Sequence, residues 1–237
     1  MKKHIPNLLT SLSLFSGSIA TVMAFQGEYL WVVIWVIIAA IFDFSDGFSA
    51  RLLKAYSPMG KELDSLSDMV SFGVAPSIAV YTFLSGNLYI ITENDIIKEY
   101  LPYMAFLLTI FSALRLAKFN IDERQSESFV GLNTPANAMF WVSFCYSLGA
   151  GQPLIAPTPS LIYLLLIAIV VFSLLMVSEI PMFSLKVKSL KLKGNEYRYF
   201  LALSVIILIA FFKIAGIAIA ILLYIALSII SSKKQKA

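Results

Sequence analysis

The sequence predicts an all-α, polytopic integral membrane protein, a bundle of about eight transmembrane helices. The first observation is composition: 59% of the 237 residues are hydrophobic and 14% are charged, with a mean hydropathy of +0.84. Soluble domains have about 45–50% apolar and ~25% charged residues. The second observation is the recurrence of apolar stretches close to the ~20 residues that a bilayer-spanning helix needs. The third is an asymmetric distribution of lysine and arginine along the chain.

The apolar stretches predict the individual spans and a single transmembrane domain over residues 1–237. The spans are expected at approximately 7–25, 30–53, 62–84, 100–118, 135–150, 160–182, 199–213 and 215–231. The first has a basic start, but no clear small-residue cleavage site follows it, so it is predicted to be a retained helix. The fifth and seventh are short. The connection near residue 214 is so tight that the last two spans fit either a hairpin or a broken helix.

The positive charges predict the orientation. If the N-terminus is cytoplasmic, sixteen of the eighteen lysines and arginines fall in inner segments, and only Lys98 and Lys213 fall in outer ones. Cytoplasmic loops carry such an excess of positive charge. The sequence therefore predicts a protein of the cytoplasmic membrane with both termini inside. The basic stretch 186–198 fits this topology signal, and attraction to anionic lipid head groups is a second interpretation of it.

Four aspartates, Asp43, Asp46, Asp64 and Asp68, interrupt the apolar pattern. A carboxylate at the bilayer centre costs ~2.5–3.5 kcal/mol on insertion scales, so four unpaired ones would cost roughly 10–14 kcal/mol. That is comparable with the stability of a whole domain. The four side chains are therefore expected to line a wet cavity, to neutralise cations, or both.

The spacing of the aspartates predicts that they face one another. Asp43 and Asp46 are three residues apart and share a face of the second span. Asp64 and Asp68 are four residues apart and share a face of the third. A short turn through Ser57-Pro58 joins the two spans. The sequence thus predicts an antiparallel hairpin whose carboxylates meet near its cytoplasmic end.

This constellation is typical of a site for hard divalent cations. Oxygen ligands without histidine or cysteine favour Mg²⁺ or Mn²⁺ over Zn²⁺. Two such ions clamp the attacking and leaving oxygens of a phosphoryl transfer. Gly47 and Ala50 lie on the Asp43 stripe and let a ligand approach the backbone, and Arg51 can bind a phosphate bidentately. A helix cap or a surface ion pair would explain one aspartate, but not four in register with these residues.

The full pattern D-x2-D-G-x2-A-R-x8-G-x3-D-x3-D resembles the signature of the CDP-alcohol phosphotransferase family at every fixed position. The resemblance implies a six-helix core, about residues 1–182, to which this chain adds a helical pair at about 199–231. It implies an enzyme, commonly a homodimer, that transfers a phosphatidyl group from a CDP-linked lipid to an alcohol and releases CMP. By the same resemblance two metal ions are expected, with Asp43, Asp46 and Asp64 as ligands and Asp68 as both ligand and general base.

The resemblance also implies which residues bind CDP-diacylglycerol. They are Pro6, Asn7, Gly47, Ala50, Arg51, Ser57 and Gly60. For Asn7, which follows Pro6 in the segment IPNLLT, an N-cap of the first span is an equally good interpretation.

Four segments bear on the acceptor alcohol. They are IPNLLTSLSLFSG, ALRLAKFN, FVGLNTPANA and VSEIPMFSLK, and they are similar to segments of the short, polytopic phosphatidylserine synthases, which implies L-serine as acceptor. Arg115, Lys118 and Asn120 end the fourth span on the aspartate side and are candidate serine contacts. The Arg115 guanidinium suits a carboxylate, and a snorkelling arginine is the alternative interpretation.

The segments after the fourth span leave further questions open. Asn133 stands where a proline is expected from the resemblance, which bears on the loop geometry. Thr134 is interpreted as the N-cap of the fifth span, with Pro135 at the first helical position. Asn137 is a possible polar contact. Glu179 has no partner evident from the sequence and is a candidate for holding the serine ammonium.

Other functions fit part of the pattern. Glycerol 3-phosphate or an inositol-type acceptor would need an extra cationic site, which basic inner loops can supply. A divalent-cation transporter would also use intramembrane carboxylates, but it gives no reason for the clustering at one face or for the Gly-x2-Ala-Arg segment. A structural, membrane-shaping protein would need no metal site. Membrane lipid is an expected partner and nucleic acid is not.

Overall fold

The computed structural model describes residues 4–121, 129–149, 156–183 and 195–236. Its helices are α1 (His4–Phe25), α2 (Tyr29–Leu53), α3 (Pro58–Ile90), α4 (Asp95–Ile121), α5 (Thr134–Gly149), α6 (Pro159–Val177), α7 (Glu196–Phe212) and α8 (Ala215–Lys236). Two strands of two residues, β1 (Phe129–Val130) and β2 (Pro181–Met182), pair antiparallel. The all-α, polytopic class predicted from composition and hydropathy is confirmed.

Every predicted span corresponds to a helix. Six helices (α1 to α4, α6 and α8) are long and apolar enough to cross a membrane. The fifth and seventh predicted spans are the short helices α5 and α7, of 16 and 17 residues. Helix α6 ends at Val177, before the predicted boundary at about 182, because the chain continues into the extended pair formed by β1 and β2. Pro181 lacks the N–H that a further helical turn would need.

The last two helices form a hairpin, which resolves the alternative left open by the sequence. Only Lys213 and Ile214 separate α7 from α8, and Lys213 has a positive φ of 52°. A side chain on Gly216 would collide with the backbone of Leu208. Residues eight positions apart in one continuous helix cannot touch, so α8 must fold back along α7.

Small residues let α1 pack closely against its neighbours. The buried face of α1 includes Thr10, Ser13, Gly17, Ala20 and Ala24, at intervals of three and four residues. A Cβ at Gly17 would overlap Ser71 of α3. Such small-residue stripes let transmembrane helices approach at the level of their backbones. The first helix is therefore fixed against the hairpin that carries the aspartates.

The helices alternate in direction, so the bundle has two ends. The end nearer the four aspartates, called the aspartate face here, carries the described cations Arg51, Lys54, Lys61, Arg115, Lys118 and Arg198, whereas Lys98 and Lys213 lie at the opposite face. The remaining inner-segment cations before residue 230, namely Lys2, Lys3, Arg124, Lys186, Lys188, Lys191 and Lys193, lie outside the described residues, as does most of the basic stretch 186–198. The described charges segregate as the predicted topology requires.

Candidate active site

Three carboxylates from two helices converge near the aspartate face. One oxygen each of Asp43 on α2 and of Asp64 and Asp68 on α3 lie within 4.8 Å of one another. All three residues are half-buried, and Oδ1 of Asp68 is enclosed without a hydrogen-bond partner among the described residues. The hairpin of α2 and α3 therefore does bring these carboxylates together, because i,i+3 and i,i+4 positions share a helix face.

Asp46 is held differently from the other three. It is buried, with 6% of its surface exposed, and its Oδ2 accepts a hydrogen bond of 2.5 Å from the Thr10 hydroxyl of α1. The Pro6 carbonyl lies 3.0 Å from the same hydroxyl. A hydroxyl has one proton to donate, and the shorter contact is the one to the carboxylate. Thr10 thus fixes one oxygen of Asp46, which is not among the three residues whose oxygens lie within 4.8 Å of one another.

Serine hydroxyls fasten α3 to α1 on either side of Asp68. Ser67 Oγ donates to the Thr10 carbonyl at 3.2 Å, and Ser71 Oγ donates to the Ser13 carbonyl at 3.1 Å. Immediately after Asp68, α3 widens into a π-helical turn over Met69–Val74. Pro76 follows, and because its ring would clash with the carbonyl four residues earlier, the widened turn relieves the strain. Single π turns are frequent at functional sites.

The small residues of the motif leave room above the carboxylates. A Cβ built on Gly47 would meet nothing within 4 Å, so the Asp43 stripe opens into a cleft one turn beyond the carboxylate. Arg51 is exposed, and its Nε donates to the Gly47 carbonyl at 3.0 Å, which lays the side chain along this stripe. Ala50 is half-buried on the same helix. This arrangement suits a phosphate, which the guanidinium can bind through its remaining N–H groups.

The first turns of α1 and α3 meet beside this cleft. Ser57 is the N-cap of α3, and its Oγ accepts from the Gly60 amide at 3.0 Å. A Cβ at Gly60 would come within 3.0 Å of Asn7 Oδ1. Since α1 already runs from His4, Asn7 lies inside the helix, and the N-cap interpretation of Asn7 is wrong. Pro6 is buried one residue earlier.

The carboxylate cluster fits a divalent metal ion. Two like charges 4.8 Å apart repel by about 3–4 kcal/mol at an effective dielectric constant of ~20. None of the three ion pairs among the described residues involves Asp43, Asp64 or Asp68. Asp68 Oδ1 has no hydrogen-bond partner among the described residues and is therefore available as a ligand atom. An all-oxygen donor set suits Mg²⁺ or Mn²⁺.

Arg115 lies in the last turns of α4, at the aspartate face. Helices α3 and α4 are antiparallel neighbours, with Gly73 opposite Ser112 and Ser65 bonded to Asn120. This register puts Arg115 at the height of residues 69–70, just beyond Asp68. It is buried, with 5% exposed. Its Nη1 donates to the carbonyls of Val130 at 2.7 Å and Met176 at 3.1 Å. Of the five guanidinium N–H groups, these contacts use the two on Nη1.

Lys118 and Asn120 bind neighbouring elements of the same face. Lys118 Nζ contacts Glu179 Oε1 at 2.5 Å and the Val177 carbonyl at 3.3 Å. Glu179 therefore has the partner that the sequence alone did not reveal. Asn120 Nδ2 donates to Ser65 Oγ at 2.8 Å. Together with Arg115, Lys118 caps the carbonyls at the end of α6, where cations are stabilised by the helix dipole.

Asn133 is the N-cap of α5, and the assignment of that role to Thr134 is wrong. Asn133 Oδ1 accepts from the Ala136 amide at 2.8 Å, and Thr134 is the first helical residue. Asparagine is among the best N-cap residues, so Asn133 suits this position although a proline was expected there. Asn137 is fully buried and its Oδ1 accepts from Trp141 Nε1 at 3.0 Å.

Thr10 and the serines of α3 are the site residues that sequence reasoning missed. Thr10 lies in the quoted IPNLLT segment, three residues after Asn7. That spacing, which puts both on one face of a helix, was the available signal. The serines carried no such signal, because hydroxyls in apolar helices commonly bond to their own preceding turn.

Comparison with known proteins agrees with the motif. The CDP-alcohol phosphatidyltransferase family model matches residues 3–176. A CDP-diacylglycerol–serine O-phosphatidyltransferase from Helicobacter pylori is 32% identical over 228 residues, covering 95% of this chain and 89% of that protein. One from Bacillus subtilis is 35% identical over 61% of this chain and 77% of its own. An archaetidylserine synthase from Methanothermobacter thermautotrophicus is 32% identical over 59% of this chain and 57% of its own.

The match extends from the first helix through the aspartate hairpin to the end of α6, so it includes every element that forms the carboxylate cluster. The first of these relatives is similar over nearly its whole length. The chain belongs to the CDP-alcohol phosphatidyltransferase family.

Proposed function

We propose that this protein transfers the phosphatidyl group of CDP-diacylglycerol to the hydroxyl of L-serine, giving phosphatidylserine and CMP. The observation that carries the proposal is the convergence of Asp43, Asp64 and Asp68 within 4.8 Å on facing helices. The family match supports the reaction type. The names of the relatives, two serine O-phosphatidyltransferases and an archaetidylserine synthase, support serine as acceptor.

The aspartates would hold the divalent ions. Asp43, Asp64 and Asp68 would supply one oxygen each, and Asp46 would supply the oxygen that Thr10 does not hold. Bound there, two Mg²⁺ or Mn²⁺ ions would neutralise the diphosphate and stabilise charge on the attacking and leaving oxygens.

The protein's own groups orient the donor lipid. Gly47 and Ala50 admit the diphosphate close to α2, where the Arg51 guanidinium binds it. Asn7 and Gly60 border the cleft where α1 meets α3, with Pro6 and Ser57 next to them. Holding donor and acceptor in one geometry contributes much of the rate, since it replaces a bimolecular encounter by a local one.

Asp68 moves the proton. One carboxylate oxygen of Asp68 accepts the proton of the serine hydroxyl while the serine oxygen bonds to the lipid-side phosphorus. The bond from this phosphorus to the bridging diphosphate oxygen breaks, and CMP leaves with the bridging oxygen. Arg51 stabilises the charge that develops on the departing phosphate.

The end of α4 would bind serine. Arg115 is level with the turn after Asp68 and keeps three N–H donors on Nε and Nη2 for a carboxylate. Lys118 and Asn120 lie at the same end of α4, where Lys118 is paired with Glu179 and Asn120 is bonded to Ser65. The aspartate face is proposed to be cytoplasmic, since it carries most described cations. The homodimer implied by the resemblance stays a prediction.

An acceptor panel tests the function. Purified protein with labelled CDP-diacylglycerol and Mg²⁺ or Mn²⁺ is offered L-serine, glycerol 3-phosphate, inositol or inositol phosphate in turn. Labelled phosphatidylserine and stoichiometric CMP are expected with serine alone. Product with another acceptor and none with serine would keep the reaction class and overturn the serine assignment. Absence of any phosphatidyl transfer would contradict the enzyme assignment.

Arg115→Ala is expected to impair serine binding selectively. Losing a charge-assisted hydrogen bond to the serine carboxylate costs about 1.5–3 kcal/mol, or roughly 10–150-fold in affinity. The apparent KM for serine should rise by this factor while the CDP-diacylglycerol dependence stays nearly constant. Arg115→Lys should restore part of the loss, since lysine lacks the planar fork.

Arg115 also has a structural role, which the experiment must separate from serine binding. Because Nη1 also caps Val130 and Met176, the variants must first migrate as monodisperse protein in detergent. An equal loss for both substrates, or loss of folded protein, would assign Arg115 to the scaffold and leave the serine carboxylate without its clamp.

Thr10→Val is expected to weaken metal binding by about 10–100-fold, the usual effect of removing a partner that orients a metal ligand. Valine keeps the shape of threonine but cannot hold Asp46 Oδ2, whereas Thr10→Ser should retain the bond. A Mn²⁺ titration followed by electron paramagnetic resonance measures the affinity without turnover. Thr21→Val, which removes a hydroxyl bonded to the Gly17 carbonyl on the same helix, is the matched control. Unchanged Mn²⁺ affinity in Thr10→Val would contradict the positioning role.

A further inference from the structure

A second cavity lies away from the aspartates. It has a volume of about 550 Å³ and is enclosed by α5, α6 and the hairpin of α7 and α8. Trp141 and Phe172 form part of its wall and are packed edge to face, with ring centroids 5.4 Å apart. Its lining is apolar apart from Ser147. Nothing in the reaction proposed above uses this space.

The cavity belongs to the half of the bundle opposite the aspartate face. Helix α5 begins at that face with Thr134, so its lining residues, from Phe140 to Leu148, form its distant half. Helix α8 begins at the opposite face, and its lining residues, from Ala215 to Leu222, are its first two turns. The cavity is therefore separated from the carboxylates along the membrane normal.

The mouth of the cavity opens toward the bilayer. Leu164, Phe212 and Leu222 line it and are 60%, 49% and 49% exposed. On a helix that crosses a membrane, exposed apolar residues meet acyl chains, and no polar molecule would gain by entering. A cavity of about 550 Å³ with an apolar lining suits an acyl chain.

A lysine with a held backbone lies next in the chain to residues of the cavity wall. Lys213 lies between the lining residues Phe212 and Ala215 and is exposed. Its amide donates to the Ile209 carbonyl at 2.8 Å, and its own carbonyl accepts from the Gly216 amide at 3.1 Å, so the backbone is held on both sides. Among the described residues Lys213 makes no ion pair, whereas Lys98, the other described cation of this face, is paired with Glu93 and Asp95.

We propose that this cavity is a binding site for an anionic phospholipid of the leaflet opposite the active site. One acyl chain fills the space beside Trp141, and the phosphodiester lies against the Lys213 ammonium. The bound lipid holds α7 and α8 against α5 and α6. Helix α7 needs such support, because Leu201 is its single buried residue. This site is independent of the substrate reaction and does not rest on the proposed function.

Brominated lipids test the site, because bromine quenches tryptophan fluorescence at short range and the buried Trp141 lies in the cavity wall. The chain has three tryptophans, so Trp31→Phe with Trp35→Phe leaves Trp141 as the sole reporter. This protein, in detergent, is titrated with phosphatidylglycerol or phosphatidylcholine carrying dibrominated chains. Saturable quenching is expected for both lipids. The apparent affinity should be about fivefold weaker for phosphatidylcholine, because one lysine near an anionic head group contributes about 1 kcal/mol.

Variants separate the chain site from the head-group site. Lys213→Gln should reduce the affinity for phosphatidylglycerol to that for phosphatidylcholine, whereas Lys98→Gln at the same face should not. Ala218→Phe or Ala168→Phe should fill the cavity and abolish saturable quenching, and only a variant that remains monodisperse is compared. Equal affinities for the two lipids would overturn the anionic assignment. Absence of quenching would overturn the site itself. This includes the case in which the protein migrates as a dimer and the second copy covers the mouth of the cavity.

Discussion

Removal of divalent metal with excess EDTA is expected to abolish phosphatidyl transfer, and Mg²⁺ or Mn²⁺ should restore it. Asp43, Asp64 and Asp68 bring three oxygens within 4.8 Å, and no described lysine, arginine or histidine pairs with them. Without bound cations the site would therefore repel the diphosphate of the donor. The measurement is release of labelled CMP at saturating substrates before chelation, after chelation and after metal is returned.

Two controls make this result specific. EDTA already loaded with Mg²⁺ contains the chelator but cannot strip the site, so it should leave the rate unchanged. Zn²⁺ should restore little activity, because the described cluster offers neither histidine nor cysteine. Undiminished turnover in excess free EDTA would exclude a metal-dependent reaction and leave the carboxylate cluster without a function.

The spans and the aspartate hairpin were predictable from the sequence because each depends on a short-range period. Apolar stretches of about 20 residues specify membrane helices, and the i,i+3 and i,i+4 spacing of the aspartates specifies a shared face. Position in the chain also implied that α2 and α3 are neighbours, since only a short turn through Ser57 separates them. For these features, local pattern and final geometry coincide.

The contacts that complete the site depend on residues far apart in the chain, and no local period signals them. Thr10 reaches Asp46 across 36 residues, and Arg115 reaches the Met176 carbonyl across 61. The pairing of Lys118 with Glu179 is equally remote. The packing of α1 against α2, where Ser13 Oγ also donates to the Ala39 carbonyl, sets the first of these contacts, and helix periodicity does not predict which helices will touch.

The end of α6 was missed for a related reason. Hydropathy extends the sixth span to about residue 182, but the helix ends at Val177. The Leu132 amide, in the segment after β1, donates to the Leu175 carbonyl. Gly131 makes this possible: its φ is +76°, and a side chain there would collide with the carbonyls of α6. Apolar content measures affinity for the bilayer and does not show where the backbone ends its helix.

Asp68→Asn is expected to reduce turnover by about 10²–10⁴-fold, the usual effect of losing a general base, while CMP and metal binding persist. The amide keeps the shape of the side chain but cannot take the serine proton. The wide turn after residue 68 and the bonds from Ser67 and Ser71 to α1 do not involve the carboxylate, so the backbone should not move. Turnover is measured beside titrations of Mn²⁺ and of CMP.

The matched control is Asp95→Asn, which removes an exposed carboxylate at the opposite face, where Asp95 pairs with Lys98. It should leave turnover unchanged. Near-normal turnover in Asp68→Asn would show that another group accepts the proton. Loss of CMP and Mn²⁺ binding would show that Asp68 acts mainly as a ligand, and the proton must then leave through another group. Because Asp43, Asp46 and Asp64 remain to hold the ions, a rate loss with intact binding is the result that only a general base at residue 68 explains.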